Sequence, residues 1–278
     1  MPTHPLKLRN RSLLRSNGYN RILSAFPIWK GKSLLDGSNI MVCLSNITTK
    51  CSNEKIAFNS KEKQDDVLQV WYLKEDEAPQ KVFNSKQKSV CGDCQHLKDR
   101  SCYVVWFQAP LAVWKAAKDK PVLPATLVKQ LTKDMFIRLG AAGDPASAPA
   151  WVSRMVSENA RAVAGYTHQW HKVAPDSSLK DFVMASVDSP YQAQLAHELG
   201  WRTFRTEPEN GKNWDAFRNE IECLAESDGY SCDRCGLCNG NRRNGKGKNI
   251  KIRVHGVHSG KYKQNDNKFY SIRRENHK

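Results

Sequence analysis

The sequence predicts an α/β fold: a parallel sheet or partial barrel with cysteine-rich metal-binding segments and basic terminal arms. Three observations lead there. Strand-like runs recur roughly every 20 to 30 residues over 135–205, with helical patterns between them. Parallel neighbours need such crossovers, because the chain must return to the same end of the sheet before each new strand. Seven of the nine cysteines fall in two tight clusters, at 91–102 and 223–238. The formal charge of +16 on 278 residues is concentrated at the two ends.

Residues 1–40 hold seven basic side chains against Asp36 alone, and residues 239–278 hold twelve against two. The stretch between them balances at 25 of each sign. The expected organisation is therefore a basic N-terminal arm at 1–39, an α/β core with both cysteine clusters at 40–240, and a basic C-terminal strand and tail at 241–278. With 40% hydrophobic and 9% aromatic residues the middle can form a real core. The longest nearly apolar stretch, Val104 to Trp114, is about half the length of a bilayer-crossing helix, which excludes a span there. No apolar leader with a small-residue cleavage site opens the chain, so the expected location is cytoplasmic, the host cytoplasm for a phage-encoded chain.

Taken in order, Ile40 to Leu44 and Val67 to Leu73 read as strands across a polar, Lys- and Asn-rich loop. Val104 to Phe107 reads as a further short strand and Pro110 to Lys118 as a short helix. Met135 to Leu139 is a strand running into Gly140-Ala-Ala-Gly143-Asp144-Pro145, and Ala150 to Asn159 its helix. Ala162 to Trp170 is the next strand, rich in Val, Tyr and Thr. Asp181 to Val187 follows, with Tyr191 to Leu199 its helix and Gly200 the C-cap. Trp201 to Arg205 is a fourth strand and Trp214 to Ala225 a fourth helix. Parallel sheets place their chemistry at the carboxyl ends of the strands. Here those ends carry Gly143, Asp144, Thr167, His168, Gln169, Trp170, Ser186, Asp188 and Arg205.

The first cysteine cluster is Cys91-Gly-Asp-Cys94 with Cys102 seven residues further on. The second is Cys223, then Cys232-Asp-Arg-Cys235-Gly-Leu-Cys238. Thiols two residues apart can chelate one ion from a tight turn, and Gly92 and Gly236 permit that turn. The run Cys232-x2-Cys235-x2-Cys238 spaces thiolates as in ferredoxin-type ligation, and Cys223 makes four, enough to saturate an iron–sulfur cluster. Cys91, Cys94 and Cys102 would leave one iron of a second cluster open. Under zinc, His96 is the candidate fourth ligand of the first set. Cys43 and Cys51 stand outside both groups.

The succession Cys91-Gly-Asp-Cys94…Cys102-Tyr103, Ile137-Arg-Leu-Gly-Ala-Ala-Gly-Asp144, Gly165-Tyr-Thr-His168, Ala185-Ser-Val-Asp188 and Cys232-x2-Cys-Gly-Leu-Cys238 resembles a family of uncharacterised cysteine-rich proteins encoded by phages and mobile elements. The resemblance spans roughly 40–256 and implies no particular reaction. A weaker likeness is to radical S-adenosylmethionine enzymes. It implies a partial parallel barrel, an open four-iron cluster on three cysteines, an auxiliary four-cysteine cluster, and S-adenosylmethionine as cofactor. The usual spacing there is Cys-x3-Cys-x2-Cys, whereas this chain has Cys-x2-Cys-x7-Cys.

Within the strand ends, His168 with Asp144 and Asp188 is a candidate acid–base set. Gly143, Thr167 and Ser186 are candidates for cofactor binding, Gly143 because a glycine turn opening a helix can receive a phosphate. Asp144 is equally well explained as an N-cap. His168 and His171 lie three apart, so on a strand they point to opposite faces and cannot share a metal. Basic residues interleaved with aromatics suit single-stranded nucleic acid. The candidates are Arg9, Arg11 and Arg15 in the N-terminal arm and Arg242, Arg243, Lys246, Lys248, Lys251 and Arg253 in the C-terminal one, with Tyr262, Phe269 and Tyr270 nearby.

The expected function is therefore a metal-cluster protein, iron–sulfur favoured over zinc, of phage or mobile-element type. It is expected to act on or with nucleic acid through its arms, a radical-type enzyme being one form this expectation takes. One alternative is a zinc-stabilised nucleic-acid-binding protein without catalysis. Another is a metal-dependent nicking enzyme built on His168. Whether the chain catalyses anything stays open at this point.

Overall fold

A computed structural model describes residues 25–45, 67–208, 219–241, 247–256 and 258–262. The strands are β1 (Ala25–Lys32), β2 (Asn39–Ser45), β3 (Val67–Lys74), β4 (Phe136–Ala142), β5 (Ala162–Ala164), β6 (Tyr166–Thr167), β7 (Met184–Val187), β8 (Thr203–Glu207), β9 (Glu220–Glu222) and β10 (Asn249–Arg253). The helices are α1 (Pro79–Asn84), α2 (Gln95–Lys98), α3 (Ala109–Ala117), α4 (Ala125–Thr132), α5 (Ala150–Ser157), α6 (Pro190–Glu198), α7 (Leu224–Ser227) and α8 (Cys232–Cys235). No helix among the described residues is long and apolar enough to cross a membrane.

The expected mixed α/β architecture with parallel strands is present. One sheet has the order β1-β2-β3-β4-β5 and the other β6-β7-β8-β10-β9. β1, β2 and β3 pair antiparallel, β3, β4 and β5 pair parallel, and the second sheet is parallel throughout. The single strand expected from Ala162 to Trp170 is split between the sheets at Gly165, whose N–H bonds to the Cys238 carbonyl rather than to a strand. A Cβ at Gly165 would lie 2.8 Å from both Leu139 and Val183, so the chain crosses between sheets where only hydrogen fits.

Alternation along the strands sorts the two faces. Ile137, Leu139, Val163, Ala185 and Val187 join the largest apolar cluster, together with Leu127, Val128 and Leu131 of α4, Val152, Met155 and Val156 of α5, and Ala193 and Leu195 of α6. The residues between them point the other way. Met41, Cys43, Trp71 and Leu73 meet α3 at Val113 and Ala117, with Cys91 and Cys102 packed alongside. Met184, Phe204, Ile250 and Ile252 meet Tyr166, Cys223 and Cys238. Helices thus cover one face, and α3 and both cysteine segments cover the other.

Several expectations are corrected. Val104–Phe107 forms no strand but runs unpaired into a turn, because α3 and Trp106 fill the space beside the sheet. The fourth helix fails over its second half: Glu220–Glu222 is strand β9 and only Leu224–Ser227 is helical, while 209–218 lie outside the described residues. The strand within the expected basic tail exists, but it lies between β8 and β9, and Lys251 on it is 8% exposed. That removes Lys251 from the surface a polyanion can reach. The segment expected as a basic arm to residue 39 contributes β1 to the first sheet over Ala25–Lys32.

Candidate functional site

Asp144 follows β4 and is 5% exposed. Its Oδ1 accepts from the Ala146 N–H at 2.9 Å and the Thr167 hydroxyl at 2.7 Å, and its Oδ2 accepts from the His168 N–H at 2.8 Å. One carboxylate therefore caps the 3-10 turn Pro145–Ser147 and fixes the end of β6. Burial pushes its pKa above the usual carboxylate value, opposed by His168 and by these hydrogen bonds. The neighbouring Gly143 has φ +77°, and a Cβ there would meet the Tyr72 carbonyl oxygen at 2.3 Å. Backbone packing alone thus requires a glycine at this position.

His168 Nε2 lies 3.0 Å from the Ser186 hydroxyl, bridging the ends of β6 and β7. Its ring meets His96 edge-on at 5.4 Å, and His96 stacks on Tyr262 at 5.1 Å. The Tyr262 hydroxyl donates to Asp188 Oδ1 at 2.9 Å, and the Thr206 hydroxyl donates to the same oxygen at 3.0 Å. Asp144, Thr167, His168, Ser186 and Asp188 are thereby gathered at the carboxyl ends of adjacent strands, where parallel sheets place their sites. His171 meets Trp170 edge-on, with ring centroids 5.4 Å apart.

The first cysteine segment lies over these ends. The Asp144 N–H donates to the Val90 carbonyl at 2.6 Å. Gln169, fully buried, donates from Nε2 to the Cys91 carbonyl at 3.1 Å and accepts the Asp93 N–H at 3.3 Å. A Cβ on Gly92 would fall 2.4 Å from that amide, so the left-handed glycine (φ +54°) lets the cysteine turn close on Gln169. Burial pushes all three thiols up, Cys102 to about 12. Each also feels its neighbours: Cys91 feels Cys94, Cys102 and Asp144, and Cys94 feels Asp188 and Asp144. His96, the candidate fourth ligand, has its Nδ1 2.6 Å from the Ser101 hydroxyl, and burial lowers it to about 4.

The second segment is tied down by Arg202, which is 5% exposed. Its guanidinium donates to the Gly240 carbonyl at 2.6 Å, Asn239 Oδ1 at 2.8 Å, the Leu237 carbonyl at 3.0 Å and the Lys248 carbonyl. Cys232 and Cys235 bracket α8, which ends at left-handed Gly236 (φ +60°). Burial raises Cys238 to about 12, opposed by a hydrogen bond from Tyr166, and raises Cys223 to about 11. Burial, and then the neighbouring thiols, raise the Tyr166 phenol, which packs against the same apolar cluster as Cys223 and Cys238. The described cysteines are all free thiols. Among the described residues, no three His, Cys, Asp or Glu side chains converge in a geometry that could hold a metal ion.

Sequence reasoning missed Tyr262 as a partner of Asp188, 74 positions away, and missed the clamps made by Gln169 and Arg202. No local pattern announces such contacts. Of the nucleic-acid candidates, Lys248 binds Asn219 and Arg253 reaches the Pro208 carbonyl at 3.5 Å. Arg9, Arg11, Arg15, Arg242, Arg243 and Lys246 lie outside the described residues.

Fold and site together define an α/β protein with a polar strand-end cluster and two cysteine-rich segments on one face of its sheets. No protein family, curated protein or solved structure matches the chain.

Proposed function

We propose that the chain is a cytoplasmic metal-cluster protein of phage or mobile-element type that acts on or with nucleic acid. In this reading Cys91, Cys94 and Cys102 hold an open iron–sulfur cluster, and Cys223, Cys232, Cys235 and Cys238 hold a saturated one. The observation that carries it is the position of the first thiol set over the carboxyl ends of β4, β6 and β7, within electrostatic reach of Asp144 and Asp188. Buried thiols that oppose one another's ionisation are the donor set a cation relieves, because thiolates are favoured beside a metal. Binding requires the thiols of each set to turn inward together, a change of rotamers on glycine-bearing turns.

An open cluster at that place would supply one-electron chemistry, with S-adenosylmethionine as co-substrate in the radical-type version. His168, Asp144, Asp188, Ser186 and Thr167 would bind and orient what comes to it, and Tyr262, donating to Asp188 Oδ1, would hold that carboxylate in place. The sequential parallel order β3, β4, β5/β6, β7, β8 is the order a partial barrel uses. The test is anaerobic purification followed by metal analysis, absorption and electron paramagnetic resonance. Brown protein with iron and sulfide, reduced by one cluster in Cys91→Ser or Cys235→Ser and lost in the double variant, is the expected result. Colourless protein carrying about two zinc ions per chain, one for each thiol set, overturns the iron reading in favour of a zinc-stabilised nucleic-acid-binding protein.

A further inference from the structure

We propose that the surface flanking the first cysteine segment is a binding face for a single-stranded polynucleotide. Phosphates would lie on a group of lysines, and bases would stack on two exposed rings. The core as a whole is electrically balanced, so a local excess of one sign is informative. Lys86 Nζ donates to the Lys98 carbonyl at 3.0 Å, and Arg100 donates to the Phe83 and Asn84 carbonyls at 3.1 and 2.6 Å. These bonds fasten the end of α1 to the end of α2, so Lys81, Lys86, Lys98 and Arg100 share one surface. Lys88 and Lys172 add two more cations, both bound to Asp93 between the cysteines. Six cations thus stand against three carboxylates, Asp93, Asp99 and Glu77, the last beside Lys81 and Gln87.

Aromatic surface adjoins them. Tyr103 and Phe107 are 46% and 65% exposed in the stretch directly after Cys102. Next to Phe107, Trp106 stacks on Phe83 at 5.5 Å, and Phe83 carries the Arg100 guanidinium at 5.1 Å, while Tyr103 is held by Arg138 at its hydroxyl (3.1 Å) with its ring 6.3 Å from that of His255. Lysines that pair phosphates beside rings that stack bases are the combination single strands need. A duplex hides its base faces, and an acidic peptide has none to offer. The inference rests on the nucleic-acid part of the proposed function and deepens it. It brings the strand to Cys91, Cys94 and the strand-end cluster through the folded core, whichever metal is bound.

The test uses the full chain and fluorescence anisotropy with labelled oligothymidylate and oligouridylate over a salt series. Lys86→Gln/Lys98→Gln is expected to weaken binding about tenfold or more and to flatten the salt dependence by roughly 1.4 in log–log slope, at about 0.7 per lost contact. Phe107→Ser is expected to weaken binding about five- to hundredfold with the slope unchanged. Tighter binding of one oligomer identifies the polymer as DNA or RNA. Full binding by both variants, with loss confined to deletion of 1–24 and 263–278, overturns the binding face and leaves the nucleic-acid reading standing. Polyglutamate that competes equally, with binding indifferent to Phe107→Ser, also overturns it. A wild-type chain that binds neither oligomer at low salt removes both ideas. Circular dichroism of each variant confirms that the fold is retained.

Discussion

Asp144→Asn separates the three hydrogen bonds of the strand-end carboxylate. The amide keeps an oxygen for the Ala146 N–H and the Thr167 hydroxyl, but its NH2 then faces the His168 N–H, donor against donor. One buried donor is left unsatisfied, a loss of about 1–3 kcal/mol. Asp144→Ala orphans all three, and at the same rate, with some relief from water reaching the polar cluster, the loss is about 3–6 kcal/mol. Urea unfolding at neutral pH, followed by far-ultraviolet circular dichroism, measures both. The expected order is wild type, then Asn, then Ala, with the two variants separated by at least about 1.5 kcal/mol. An Asn variant as stable as wild type, or as damaged as Ala, refutes the assignment of Oδ2 to the His168 backbone and with it the account of how β6 is fixed.

Three further predictions test the frame around the site. Arg205 is fully buried between Glu207 and Glu220, bonding Glu220 at 2.7 and 2.9 Å, so Arg205→Met strands two carboxylates. Its cost is about 3–5 kcal/mol by chemical denaturation, and a loss below about 1 kcal/mol contradicts the ion triad. Gly143→Ala drives a methyl into the Tyr72 carbonyl and should leave little folded protein. Gly37→Ala has a similar φ of +76° with nothing within 4 Å, and should cost only about 1 kcal/mol in thermal unfolding. Arg202→Lys loses the planar fork that grips the second cysteine segment. About 3 kcal/mol of stability should go with it, and hydrogen exchange at 237–240 should rise before global unfolding does.

Much of the fold was legible because its signals are local. Strands β2, β3, β4, β7 and β8 and helices α3, α5 and α6 lie within a few residues of their expected places, since hydrophobic alternation and capping residues act over a single turn or pleat. Ser189 bonds the Gln192 N–H at 3.2 Å and starts α6, and Gly200 at φ +77° ends it. The errors arose where a distant partner decides. Glu220–Glu222 has helical neighbours in sequence but pairs with β10, and Arg205 holds Glu220 in that register. Val104–Phe107 has strand composition, but Trp106 buries against the α3 side of the first sheet.

The sequence by itself determined that this is an α/β chain with crossovers, that its thiols fall in sets of three and four, and that its excess charge lies at the ends. Those are properties of composition and spacing. Tertiary structure decided that both thiol sets lie on the sheet face opposite α4, α5 and α6, that the first set covers Asp144 and Asp188, and that Tyr262 completes the cluster. It also decided that β10 is an interior strand with Lys251 buried. The physical reason is that side-chain direction alternates along a strand, while the neighbour filling each side comes from far away in the chain. Spacing names which residues can act together, and packing selects which of them meet.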